Sequence, residues 1–419
     1  MQCHVLSFEG PDSYAQAGGL SSRVTGLTEA LVPAGFETHL WFVGDPALPG
    51  HEEHEGLWLH RWCQWISRYH PQGVYDGEEG KHADYATSLP PFLSQQVLFP
   101  HLQRNGLAII MAEEWHTVNA VFHLDWLLRL SRLRHQVMIL WNANNTFGFD
   151  RIDWNRLKKV AMITAVSRYM KGLLQRFDID VVVIPNGLPE KAYTPPEQEA
   201  VNAFRNRLSG RTVVTKVARW DPAKRWLPSV EVIRAMKARG CRPLLLARGG
   251  VENYGREVLR KAEAVGLRVT ERTLTSPDLR GLLQALEALE DVEVLSILSP
   301  LQAGVRGLLF HGSDIVLANS DHEPFGLVGL ETMAVAGVAC VGHTGEDYAT
   351  AGYNALVLET DDPQECFYLL RVLKQAPYWE RALRRAGRRT ARGYVWPKII
   401  ERNLLPMLST EWTTRGKAA

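Results

Sequence analysis

An α/β chain built as two parallel sheets, each with helices on both faces, is what this sequence predicts. Three observations carry that expectation. Short apolar runs alternate with amphipathic stretches along nearly the whole length, the pattern of strands buried between helices. The chain has 419 residues, more than one ordinary core supports, so two domains are expected. The alternation also occurs twice, on either side of the polar, proline-rich stretch Pro195-Pro196-Glu197-Gln198-Glu199, which follows the turn Pro185-Asn186-Gly187.

In the first half, strand-like runs fall at 3–8, 38–43, 107–111, 137–141, 162–165 and 181–184, with helical patterns at about 20–33, 116–133 and 167–177. In the second, strands near 212–218, 244–247, 268–270, 293–295, 315–318 and 339–342 alternate with helices. The expected domains are 1–195 and 196–393, each Rossmann-like, with 394–419 following. Ligands of such sheets sit at the carboxyl ends of the strands. Residues 51–85 depart from the pattern and read as a long loop. There Trp58, Trp62, Trp65, Tyr69, Tyr75 and Tyr85 accompany an acidic insert, Asp76-Gly77-Glu78-Glu79-Gly80. These aromatics either fill core beneath the loop or cover the face of a sugar whose hydroxyls the carboxylates take.

The composition, 46% hydrophobic and 22% charged, is that of a soluble globular protein. A formal net charge of +1 gives no electrostatic case for nucleic acid. Five scattered cysteines, none with zinc-ligand or CxxC spacing, read as reduced thiols in a cytoplasmic protein. The N-terminus runs straight into a strand pattern, so no signal peptide is expected. Nor does any apolar run approach the roughly 20 residues of a membrane span.

The most informative segment is Glu323-Pro324-Phe325-Gly326-Leu327-Val328-Gly329-Leu330-Glu331, directly after the buried run 315–318. It reads as a loop entering a helix, with Glu323 before the helix and Glu331 inside it. Helix starts carry unpaired N–H groups and a partial positive charge, which suit phosphate. Flanking carboxylates suit hydroxyl groups, so the combination describes a nucleotide-sugar. Arg219 and Lys224 lie together on the loop after 213–218. Two cations at a strand's carboxyl end suit a diphosphate, although surface charges near a turn would look the same. Gly18-Gly19 joins the first strand to the first helix, where glycine lets a ligand approach the backbone; an ordinary strand–helix turn is the plain alternative. His116, in Glu113-Glu114-Trp115-His116-Thr117, stands at the carboxyl end of run 107–111. A histidine there is either structural or part of a site.

These motifs together resemble the retaining glycosyltransferases with the GT-B fold (glycosyl transferases group 1, family 4 type), in their glycogen-synthase-like branch. The E-x7-E segment Glu323 to Glu331, the pair Arg219 and Lys224 as R-x4-K, and the glycine loop at Gly18 and Gly19 match that family. So do Trp115-His116, the P-N-G turn at 185–187 and the aromatic-x-Trp at Tyr394-Val395-Trp396. The resemblance covers most of the chain. It implies a GT-B fold, two Rossmann-like doubly wound domains facing across a cleft. The first domain would bind the acceptor and the second the nucleotide-sugar. A last helix at 397–408 would cross back to the first domain on Ile399, Ile400, Leu404 and Leu405. One departure is Gln16, where members that use ADP-glucose have Lys.

The resemblance further implies transfer of a sugar, glucose by preference, from a nucleoside-diphosphate-sugar to a hydroxyl acceptor with retention of configuration. The acceptor would be a sugar, a glucan or a small polar alcohol. Glu323, Arg219, Lys224 and His116 would be catalytic. Gly18, Gly19, Phe325, Gly326, Leu327 and Glu331 would bind the donor, Glu323 holding the transferred sugar and Glu331 the ribose. No metal or other cofactor is expected. The alternatives are a GT-B nucleotide-sugar epimerase and a sugar-nucleotide-binding protein without catalysis. Three further patterns are set aside. Asp178-Ile179-Asp180 lies on a helix-to-strand turn, and His51-Glu52-Glu53-His54 lacks the zinc spacing. The arginines 381, 384, 385, 388, 389 and 392 read as a solvated basic face.

Overall fold

The computed structural model describes residues 1–342 and 344–418, with side chains as far as 413. The chain divides into two compact units, Met1–Leu188 with Tyr394–Ala419, and Pro189–Gly393. The division falls a few residues before Pro195-Pro196. Among the described residues no helix is long and apolar enough to cross a membrane.

The first unit is built on eight strands: β1 (Gln2–Leu6), β2 (Glu37–Val43), β3 (His51–His54), β4 (Leu57–Trp62), β5 (Ala108–Glu113), β6 (Val137–Ala143), β7 (Met162–Ala165) and β8 (Val181–Val183). Their order is β3-β4-β2-β1-β5-β6-β7-β8, parallel except where β3 runs antiparallel to β4. Val5 stands beside Leu40 on one side and Met111 on the other. With Val24, Leu27, Ile109 and Leu140 these form one continuous apolar layer between sheet and helices.

The second unit has β9 (Thr212–Val217), β10 (Pro243–Arg248), β11 (Val269–Arg272), β12 (Val294–Ile297), β13 (Ile315–Ala318), β14 (Ala339–Val341) and β15 (Leu356–Val357). The order is β11-β12-β10-β9-β13-β14-β15. Among the described residues all of its strand pairs are parallel. In each sheet the order reverses next to the first strand: between β1 and β5, and between β9 and β13. Such a reversal splays the loops above it and leaves a crevice at the strands' carboxyl ends.

The region 51–85 corrects the sequence reading. It is not one long loop: the hairpin β3–β4 and a short helix, Gln64–Ser67, come first, the irregular stretch is only 68–77, and a helix, Glu78–Phe92, follows. The strand His51-Glu52-Glu53-His54 is polar because it lies on the sheet's edge, so the apolar alternation that marks a strand is missing. Its turn uses Glu55 and Gly56 at φ +50° and +87°, the left-handed pair that tight hairpins require. Tyr85 is core, whereas Trp65 and Tyr69 are exposed.

The closing segment belongs to the first unit. The Leu188 N–H donates to the Tyr394 carbonyl at 2.7 Å, and Trp396 N–H to the Leu188 carbonyl at 3.2 Å. The Trp396 ring lies so close to Gly26 and Gly187 that a Cβ would sit 2.3 and 2.6 Å from it. Ile399, Ile400, Leu404 and Leu408 are buried behind it. Leu405, expected on the same face, is half exposed, because Ile400–Leu404 winds as a π turn that shifts the register of the buried face.

The arginine face is corrected in part: Arg381, Arg385, Arg389 and Arg392 are exposed as expected, but Arg384 and Arg388 are not. Arg384 donates to the carbonyls of His311, Ala336 and Ser313 and pairs with Glu380. Arg388 reaches the Tyr193 carbonyl and Arg389 the Tyr353 hydroxyl. Arg384 and Arg388 thus satisfy backbone oxygens between helices, while Arg389 stays exposed and is held by a hydroxyl.

Candidate active site

In the second unit the loops after β9 and β13 are fastened together. Asp221 caps the turn Pro222–Lys224, its carboxylate accepting from Ala223 N–H at 2.8 Å. The Asp321 N–H then donates to the Ala223 carbonyl at 2.9 Å. This brings Lys224 Nζ to 2.8 Å from Glu323 Oε2. Beneath them Lys216 is buried, donating to Asn319 Oδ1 at 2.6 Å, with the Trp226 ring 5.4 Å away. Burial, with repulsion from Lys224, pulls its ammonium down to about 7. Arg219 is exposed on the same loop, and its carbonyl accepts from Trp226 Nε1 at 2.7 Å.

The helix Leu327–Ala334 begins after Gly326, whose φ of +80° is left-handed. A Cβ there would lie 2.8 Å from Glu346 Cγ and 3.0 Å from the Tyr348 hydroxyl, so only glycine fits without displacing neighbours. The Tyr348 hydroxyl donates to the Gly326 carbonyl, and the Phe325 ring is buried against Tyr348. Glu346 is buried beside this start. Its Oε2 accepts from Thr344 N–H at 3.2 Å, while its Oε1 has no partner among the described residues. Burial, reinforced by the Glu323 charge, raises its carboxyl to about 8. Glu331, within the helix, lies 3.4 Å from Arg306. Burial raises its carboxyl, and Arg306 opposes the shift.

In the first unit the loops after β1 and β5 flank the other reversal. The helix Gly19–Leu31 starts beneath Glu9, whose Oε2 accepts from the N–H groups of Gly18 and Ser21 at 3.0 and 3.1 Å. Tyr75 donates to Glu9 Oε1 at 2.7 Å. The glycine loop is as expected in position, but these amides already hold a carboxylate of the chain itself. Glu113, at the end of β5, is fully enclosed. It pairs with Arg23 at 3.1 Å and accepts from Asn142 and Asn144 at 2.8 and 2.7 Å. Arg23 also donates to Asn186 Oδ1 at 2.8 Å, so the P-N-G turn is part of a buried charge network. Glu114 follows with φ +66° and ψ 170°, a region a side chain occupies at a cost of about 1–3 kcal/mol. Burial raises its carboxyl to about 8.

His116 stacks on Phe8 at 4.3 Å and meets Glu78 through Nε2 at 2.7 Å. Burial lowers its imidazolium to about 4, against the pull of Glu78. The ring is therefore neutral near pH 7, with Nε2–H donated to Glu78. Its Nδ1 is buried and has no partner among the described residues.

Thus Lys224, Glu323, Phe325, Gly326 and Leu327 converge around one helix start in the second unit. Arg219 lies on the loop that reaches it and Glu331 along its helix. Gly18, Gly19 and His116 cluster around Glu9, Tyr75 and Glu78 in the first. Sequence reasoning missed Glu9, Arg23, Glu113, Lys216, Arg306 and Glu346. Glu9 carried a usable signal, an acid just past a buried strand and ahead of a glycine pair. The others depend on burial, which spacing does not reveal.

Residues 17–191 match the family model described as Glycosyltransferase Family 4. No curated protein sequence matches the chain. Among solved structures, sucrose-phosphate synthase from Thermosynechococcus elongatus superposes with a TM-score of 0.66 at 18% identity, covering 100% of both chains. A trehalose 6-phosphate synthase from Burkholderia multivorans gives 0.67 at 12%, covering 100% of this chain and 98% of that one. The catalytic domain of starch synthase IV from Arabidopsis thaliana, bound to ADP and acarbose, gives 0.63 at 15%, covering 96% and 99%. The fold is GT-B.

Proposed function

We propose that this chain is a retaining glycosyltransferase that moves a sugar, glucose by preference, from a nucleoside-diphosphate-sugar to a hydroxyl acceptor. The observation that carries the reading is the convergence of Lys224, Glu323 and the Gly326 helix start above the β9/β13 reversal. The family match over 17–191 and the GT-B fold agree with it.

Breaking the sugar–diphosphate bond builds negative charge on the leaving phosphate and positive charge on the sugar ring. Lys224, Arg219 and the dipole of the helix beginning at Leu327 would meet the first. Glu323, held in place by Lys224, would accept hydrogen bonds from hydroxyls of the transferred sugar. Glu331 would take ribose hydroxyls, with Arg306 keeping it oriented. His116, neutral and held by Glu78, would contact the sugar as a polar partner rather than as the base. A phosphate oxygen of the donor would take the acceptor's proton, attack coming from the face the leaving group departs. This scheme assigns no step to a metal. The five cysteines carry no disulfide, in keeping with a cytoplasmic enzyme.

The test is product analysis in metal-free buffer with EDTA, using the nucleotide-sugar that binds. An α-linked product from an α-configured donor is expected. A β-linked product, activity lost with EDTA, or isomerised nucleotide-sugar without transfer would each refute the reading.

A further inference from the structure

Beside the glycine loop the first unit holds a cavity of about 590 Å³, within the range of small-molecule sites. It is lined by Tyr14, Gln16, Asp45, Gln72, Tyr75 and Asp76 among others. Two aromatic rings, two carboxylates and two amides are the groups that cover the face of a sugar and exchange hydrogen bonds with its hydroxyls. Among the described residues that line it there is no Lys, Arg or His.

Cations close by are already committed. Lys81 is buried, and its Nζ lies within hydrogen-bond reach of the Tyr14 hydroxyl at 2.6 Å and the carbonyls of Gly73, Val74 and Asp76 at 3.0, 3.1 and 2.5 Å. An ammonium has only three protons to give. Arg61 grips Asp12 with two bonds of 2.8 and 3.0 Å and donates its remaining nitrogen to Pro49 and Glu52. The helix start at Gly18, which would otherwise attract an anion, holds Glu9 instead. His70, at the rim, is likewise paired, 3.2 Å from Asp76. A phosphate placed here would therefore face Asp45 and Asp76 with no cation among the described lining residues to offset them.

We infer that this cavity takes the acceptor, and that the acceptor is a neutral, hydroxyl-rich molecule, a sugar or polyol without phosphate. The inference rests on the proposed glycosyl transfer only for the word acceptor; the binding preference stands on the lining itself.

Saturation-transfer NMR on the full chain tests it, with glucose, maltose and glycerol against glucose 6-phosphate, and UDP, GDP and ADP as separate samples. At least one neutral compound is expected to receive saturation, with glucose 6-phosphate weaker by about tenfold or more, some 1.4 kcal/mol. Gln72→Trp, at an exposed lining position, is expected to abolish the neutral signal while thermal unfolding stays unchanged. Asp45→Ala, a second lining change, is expected to weaken it. Equal or tighter binding of glucose 6-phosphate, no binding by any of these sugars, or a signal that survives Gln72→Trp would overturn the inference. Nucleotide binding reports on the transferase reading separately, so the two can fail independently.

Discussion

Lys224 and Glu323, 99 positions apart in sequence, meet at 2.8 Å where the loops after β9 and β13 are tied by the Asp321–Ala223 hydrogen bond. The pair is partly exposed, so its contribution to stability is small, about 0–1 kcal/mol. Its value lies in placement. Each holds the other where a diphosphate and a sugar hydroxyl are proposed to sit.

Replacing Lys224 with Ala removes the cation and frees the Glu323 carboxylate. Turnover is expected to fall by roughly 10²–10³ with melting temperature almost unchanged. Steady-state kinetics on the purified variant measures this, and unchanged kcat would remove Lys224 from the mechanism.

Glu346 gives a pH signature. Its carboxyl is raised to about 8 by burial and Glu323, so it is protonated at neutral pH and ionises as pH rises through that value. A second negative charge then appears beside the helix start, and nucleoside-diphosphate affinity is expected to fall. Lys216, which discharges near 7, contributes an earlier decline. In Glu346→Gln the decline near 8 should vanish and the earlier one remain. Calorimetric titration from pH 6 to 9 reads both.

The sequence made the parallel sheets and the second-unit motifs legible, because buried strands advertise themselves as apolar runs and the double-glutamate segment is contiguous. β3 was hidden by its polar edge composition, and Leu356–Val357 by its brevity. The glycine pair at 18–19 was found, yet its occupation by Glu9 was not, since that contact depends on the chain folding back across the loop. Likewise Gly326 reads as a turn residue, while the reason for it, Glu346 and Tyr348 pressed against its Cα, comes from a distant loop.

Trp396 fixes the closing segment onto the first unit through Gly26 and Gly187. Trp396→Ala is expected to destabilise that unit by about 3–5 kcal/mol, and Gly26→Ala to destabilise it by forcing the ring aside. Urea unfolding followed by fluorescence measures both. A Gly26→Ala variant as stable as the parent would contradict the close approach.

A histidine stack crosses the first sheet. His4 lies 4.6 Å from His39, His39 Nδ1 is 3.0 Å from His60 Nε2, and His60 Nδ1 is 2.8 Å from His51 Nδ1. Glu37, 3.5 Å from His39, is the carboxylate facing the stack. Burial lowers His60 to about 3 and His4 well below its usual value. The unfolded chain therefore binds more protons as pH drops below about 6.5, so this contribution is complete above that pH and lost beneath it. Stability should fall by about 1.4 kcal/mol per pH unit for each such histidine. Urea midpoints at pH 7.5 and 5.5 decide it, with equal midpoints as the contrary result.

The central claim is that the second unit grips a nucleoside diphosphate through Lys224, Glu331 and the Gly326 helix start. Thermal unfolding with UDP, GDP and ADP, each in EDTA, tests it most directly. One nucleotide at about 100 times its Kd should stabilise the protein by about 2.7 kcal/mol, and the shift should shrink in Lys224→Ala and Glu331→Gln. No shift with any nucleotide, or a shift unaffected by both substitutions, would contradict it.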